Sequence, residues 1–79
     1  MSNQKERQNA CDNIRYLRRK HGLSRTAMAR KLHVTVKTLD SLEAGLIPPR
    51  ISITFLYYIH REFGISPEQL LRVRLEEAP

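Results

Sequence analysis

Nine of the chain's cations fall in its first 31 residues: Lys5, Arg7, Arg15, Arg18, Arg19, Lys20, Arg25, Arg30 and Lys31. Only Glu6 and Asp12 oppose them there. Guanidinium and ammonium groups at this density favour a polyanionic partner. Residues 32–79 hold five cations against six acids, so the formal charge of +6 and the pI near 10.1 belong to the N-terminal part. The other reactive side chains make no constellation. Cys11, His21, His33 and His60 match no common zinc spacing, so no metal is expected. Ser24 and Ser66 could be called nucleophiles, but a capping role explains both fully. There is no Gly-rich phosphate loop and no carboxylate pair with a pocket to work in. The residues point to a binding protein without a cofactor, not to an enzyme.

Size sets the same limit. A chain of 79 residues is one domain, since domains usually run to roughly 100–150 residues. It is too small for a cleft between two lobes. The longest apolar stretch, Ile53 to Ile59, is far short of the about 20 residues a membrane span needs. MSNQKERQ at the start has no apolar core and is not a secretory signal. One cysteine cannot form an internal bridge, and the expected compartment is the cytoplasm.

The elements that position the cations read as helices. Ala10, Ile14, Leu17 and His21 recur at spacings of three and four, which predicts a helix from about Gln8 to His21 ended by Gly22. Ser24 caps a short second helix with Ala27, Met28 and Leu32 inward. After His33-Val34, Thr35 caps a third helix to Ala44, with Leu39 and Leu42 inward and Gly45 as its stop. Ser52 caps a fourth helix, whose inner stripe reads as Ile53, Leu56, Ile59 and Phe63, ended by Gly64. Ser66-Pro67-Glu68-Gln69 carries a capping box and proline at the first helical position, opening a fifth helix with Leu70 and Leu71. The predicted fold is all-α, five short helices. Residues 1–8 form a flexible arm, 9–74 the domain and 75–79 a frayed tail.

Two short helices with a tight link suggest a helix-turn-helix. In order, Ile14-x-x-Leu17-Arg18, Gly22-Leu23-Ser24, Met28-Ala29, Val34-Thr35, Thr38-Leu39, Leu42-Glu43-x-Gly45, Gly64-Ile65-Ser66 and Leu70-Leu71 resemble the DNA-binding domain of the phage repressor and Cro type, the XRE family. The resemblance covers Asn13 to Leu71. It implies a lambda-repressor-like bundle that binds double-stranded DNA and regulates transcription. The helix after Thr35 is then the recognition helix in the major groove, with Val36, Lys37, Asp40 and Ser41 toward base edges. Arg25, Thr35, Arg50, Arg19 and Lys20 are placed for phosphates. The resemblance also implies an ion pair between Arg18 and Glu43 that orients the recognition helix. The family's usual glycine in the link is replaced by His33, at a position that tends to positive φ.

The fourth helix is apolar nearly all round, which predicts a buried or interface position. A homodimer using Phe55, Tyr58 and part of the fifth helix matches a palindromic site. Because the chain ends soon after the fifth helix, repression by occlusion is simpler than activation. The alternative is a protein-interaction module, such as an antitoxin, that keeps the fold with weak base reading and binds a protein partner.

Overall fold

The computed structural model describes residues 4–48, 51 and 53–77. Five α-helices follow one another: α1 (Gln4–Lys20), α2 (Arg25–Leu32), α3 (Val36–Glu43), α4 (Thr54–Phe63) and α5 (Pro67–Arg72). A 3₁₀ turn, Leu75–Glu77, follows α5, and no strand occurs among the described residues. The all-α, five-helix expectation is met. Arg50, expected at a phosphate, and Ser52, expected as a cap, lie outside the described residues.

Local chemistry sets most boundaries. Ser24 Oγ accepts from the Ala27 amide, Thr35 Oγ1 from that of Thr38 and Ser66 Oγ from that of Gln69, each at 3.1 Å. Gln69 Oε1 accepts from the Ser66 amide in return, completing the capping box. Three successive helices end on the same doubled hydrogen-bond pattern. The Leu23, Val34 and Leu46 amides reach back to the Arg18, Ala29 and Ser41 carbonyls at 2.8–3.0 Å. The left-handed residue in the first and third is Gly22 and Gly45; in the second it is His33, at φ 57.

A non-glycine residue in that conformation costs about 1 kcal/mol or more, and His33 has a compensating contact. Its ring stacks on Tyr58 of α4, centroids 3.9 Å apart and planes 19° from parallel. His33→Gly is therefore expected to shift stability by less than about 1 kcal/mol, because relieved strain offsets the lost stack. His33→Val, β-branched and unable to stack, should cost about 1–2 kcal/mol. Urea midpoints at unchanged slope measure both.

The core is formed by Ala10, Ile14 and Leu17 of α1, Met28, Ala29 and Leu32 of α2, Leu39 and Leu42 of α3, Phe55 and Ile59 of α4, and Leu70 of α5. Two boundaries differ from expectation, and so does one helix face. α1 starts at Gln4, so residues 4–8 are helical and not an arm. Glu6 lies in the first turn, where a carboxylate suits the helix dipole, and pairs with Arg72 at 3.3 Å. Two asparagines of α1 hold the segment that follows α5. Asn13 Nδ2 donates to the Leu70 and Val73 carbonyls, each at 2.7 Å, and Asn13 Oδ1 accepts from the Leu75 amide at 3.1 Å. Asn9 Nδ2 donates to the Leu71 and Val73 carbonyls, each at 3.0 Å. α5 ends on Val73 in an extended conformation, without glycine, so its last carbonyls need partners from elsewhere. The two asparagines supply them.

On α4 the inner residues are Phe55 and Ile59, not a stripe beginning at Ile53. Ile53 precedes the first helical turn and is 76% exposed, whereas Phe55 is 7% exposed. The aromatic ring buries more apolar area than an isoleucine can, and it takes the core position. Cys11 is buried, and burial together with Asp12 pushes its thiol pKa up, so it behaves as a packed apolar side chain.

Candidate nucleic-acid interface

α3 presents the surface on which the functional expectations rest. Leu39, Leu42 and Glu43 point inward, and the helix rests on α1 and α2. A helical period that buries those three leaves the remaining face outward. Val36, Lys37 and Asp40 are exposed and Ser41 is half-buried. The four side chains expected to reach base edges therefore share one accessible face. A hydrophobic group, a cation, an anion and a hydroxyl can between them address a methyl, an acceptor and a donor. Thr35, expected at a phosphate, is the N-cap of α3. Its hydroxyl accepts from the Thr38 amide and donates to the Thr38 hydroxyl at 3.0 Å.

Arg18 fixes this helix to α1. Its Nε donates to Glu43 Oε2 at 2.6 Å and its Nη2 to Oε1 at 3.0 Å, the two-pronged geometry of guanidinium on carboxylate. Nη1 donates to the Leu23 carbonyl at 3.1 Å, so the same side chain ties down the turn between α1 and α2. The side chains are 15% and 6% exposed. The hydrogen bond to Glu43 raises the Arg18 pKa above its ordinary value, against a smaller opposing effect of burial. The ion pair implied by the resemblance is present, and Arg18 is thereby spent on structure.

Other cations remain outward. Arg19 and Lys20 are exposed on the last turn of α1, and the Lys20 ammonium lies 5.8 Å from the centre of the Tyr16 ring. Arg25, the first residue of α2, is exposed and pairs with Asp40 across the two helices, Nε to Oδ1 at 3.5 Å. Arg15, Arg19, Arg25, Asp40, Glu43 and Ala44 line one shallow depression. Sequence reasoning missed two of these arrangements. Arg15 donates to the Glu43 carbonyl at 3.4 Å and contacts Asp12 at the same distance, so it braces α3 while staying at the rim. The Arg25–Asp40 pair joins a residue expected at phosphate to one expected at a base. No sequence spacing within a single helix announces it.

The two residues expected at a dimer interface do not form an open face. Phe55 belongs to the core, and Tyr58 is half-buried against His33 and Tyr57. Around this helix the exposed apolar side chains are Ile53 and Tyr57. No helix among the described residues is long and apolar enough to cross a membrane.

A family model described as helix-turn-helix matches residues 14–70, well over half of the chain. Neither a curated protein nor a solved structure matches the chain.

Proposed function

The chain belongs to this helix-turn-helix family, and from that premise we propose that it is a sequence-specific DNA-binding repressor, acting by occupying its site. The observation that supports this most is the outward face of α3, accessible along its length and held to α1 by Arg18 and Glu43. In this reading α3 enters the major groove, and Val36, Lys37, Asp40 and Ser41 meet base edges. Arg19, Lys20 and Arg25 meet phosphates, and the N-terminus of α2 adds its dipole beside Arg25. A homodimer on two half-sites belongs to the same reading, because a two-fold protein pairs with a palindrome. Ile53, just before α4, and Tyr57 on it are the exposed apolar groups offered there to a second copy.

Titration of the chain with duplex DNA at several salt concentrations tests this. Three phosphate contacts per chain predict a loss of about 40-fold in affinity between about 50 and about 200 mM salt. Absence of binding, or binding indifferent to salt, overturns the reading. Lys37→Ala should change which duplexes are selected from a random pool. Arg25→Ala should weaken all sequences alike and reduce the salt slope by about 1. Sedimentation equilibrium tests the dimer, and monomer alone at high concentration removes it.

A second reading, an antitoxin-like module that binds a protein partner, draws on the exposure of Leu46, Ile53 and Tyr57. Stable co-purification with a protein ligand and no affinity for any duplex would favour it.

A further inference from the structure

We propose that Asp40 is a specificity-determining residue, making tight binding conditional on a cytosine amino group through an exchange of partners with Arg25. This rests on the DNA-binding reading above and adds to it a rule for one base.

In the free chain Arg25 and Asp40 satisfy one another across the α2–α3 angle, Nε to Oδ1 at 3.5 Å, with side chains 61% and 51% exposed. An exposed pair at this separation is weak and screened by salt, so a competing anion opens it easily. A DNA phosphate approaching the start of α2 is such an anion. The depression around the pair holds two acids, and they differ in freedom. Glu43 is locked by Arg18 at 2.6 and 3.0 Å. Asp40 alone of the two depends on a partner that DNA would take away.

Once Arg25 turns to phosphate, the Asp40 carboxylate faces a polyanion without its direct ion pair, and Arg15 and Arg19, which line the same depression, lie beyond ion-pair distance. An ionised carboxylate only accepts hydrogen bonds. It therefore needs a donor from the groove floor. Guanine offers two acceptors there, and thymine an acceptor and a methyl group. Adenine offers one amino group, but beside the acceptor N7, which repels the second carboxylate oxygen. Cytosine offers its N4 amino group without that neighbour. The exchange is thus repaid at cytosine, less so at adenine, and not at guanine or thymine. On any other sequence Asp40 acts as a penalty, which suppresses binding to random DNA while leaving the cognate site accessible.

The experiment compares the full chain with Asp40→Ala and Asp40→Asn in selection from a random duplex pool. Affinity for one scrambled duplex is measured in parallel, and circular dichroism confirms the helices. The unaltered chain should select cytosine at one position of each half-site. Asp40→Ala should lose that preference and bind scrambled duplex about tenfold more tightly, from the removal of one like charge. Asp40→Asn should move the preference to adenine, whose N6 and N7 match a carboxamide. Arg25→Ala should keep the cytosine preference at lower affinity. Identical selected pools from the unaltered chain and Asp40→Ala, with affinities within about twofold, overturn the proposal while the DNA-binding reading stands. Failure of the unaltered chain to bind any duplex overturns both.

Discussion

Glu43→Ala is expected to destabilise the domain by about 3–5 kcal/mol, because it leaves a guanidinium without its carboxylate in a largely buried place. Arg18 is only 15% exposed and gives two of its three hydrogen bonds to Glu43. Domains have roughly 5–15 kcal/mol in all, and one of this size belongs near the lower end. The variant should therefore unfold at or near physiological temperature, seen as a lowered urea midpoint and a lowered Tm. A loss below about 1 kcal/mol would mean that water reaches Arg18 and that the pair is worth no more than a surface one. The double replacement Arg18→Met with Glu43→Leu should recover most of the stability, since a buried pair replaced by apolar groups of similar volume is often neutral. It should nevertheless weaken DNA binding, because α3 loses the contact that sets its angle on α1.

The pH behaviour of Arg18 has a definite sign. Hydrogen bonding to Glu43 raises the Arg18 pKa above its ordinary value. A group whose pKa is raised on folding contributes stability below its unfolded pKa and loses it as pH rises through the folded one. That window lies in strong alkali. From acid through neutral conditions, Arg18 itself adds no slope to stability against pH.

Asn13→Ala should cost about 2–3 kcal/mol. It strands the Leu75 amide, whose partner is Asn13 Oδ1, and removes the shorter of the contacts to the Leu70 and Val73 carbonyls. Asn9 still reaches both carbonyls, at 3.4 and 3.0 Å, which limits the damage to less than complete loss of the clasp. Asn13→Asp is the sharper test. A carboxylate facing two carbonyl oxygens is disfavoured when ionised, so its pKa rises on folding. Stability gained with the proton bound is then lost as pH rises, and this variant should be more stable near pH 4 than near pH 7. Urea denaturation at the two pH values reads the sign directly, and the opposite order would show that the side chain has turned to solvent.

Features governed by near neighbours are legible in the sequence. The caps at Ser24, Thr35 and Ser66 are settled by hydroxyls acting on amides three residues on, and each is where sequence places it. The outward face of α3 followed from Leu39 and Leu42 alone, because one turn of helix fixes which side the rest occupy. Arg18 with Glu43 was legible only through resemblance, since 25 residues separate them and nothing local joins them. The face of α4 is not legible from periodicity, because that helix is apolar almost all round. Periodicity cannot rank Ile53 against Phe55; relative size and the position of the first turn do. The start of α1 is not legible locally, because the groups that hold it, Arg72 and the carbonyls of Leu71 and Val73, lie far along the chain. A signal was present: asparagine is a poor helix-interior residue, and Asn9 and Asn13 flank Ala10 and Ile14 one turn apart. Polar side chains bordering an apolar stripe mark buried acceptors, and among the described residues no buried side-chain nitrogen or oxygen lacks a partner.

The asparagine clasp also bears on the order of folding. Its hydrogen bonds join residues 57 to 64 positions apart. α2 and α3, by contrast, are adjacent in the chain and touch after a turn of a few residues. Closing the long loop costs more chain entropy than closing the short one, and that cost precedes any reward from the contacts. The helix-turn-helix pair should therefore assemble early, and the seam between α1 and α5 should close after the rate-limiting barrier. Changes at Asn9 or Asn13 then act on the rate of opening and hardly on the rate of formation. A chevron for Asn13→Ala should show a raised unfolding limb above an almost unmoved refolding limb.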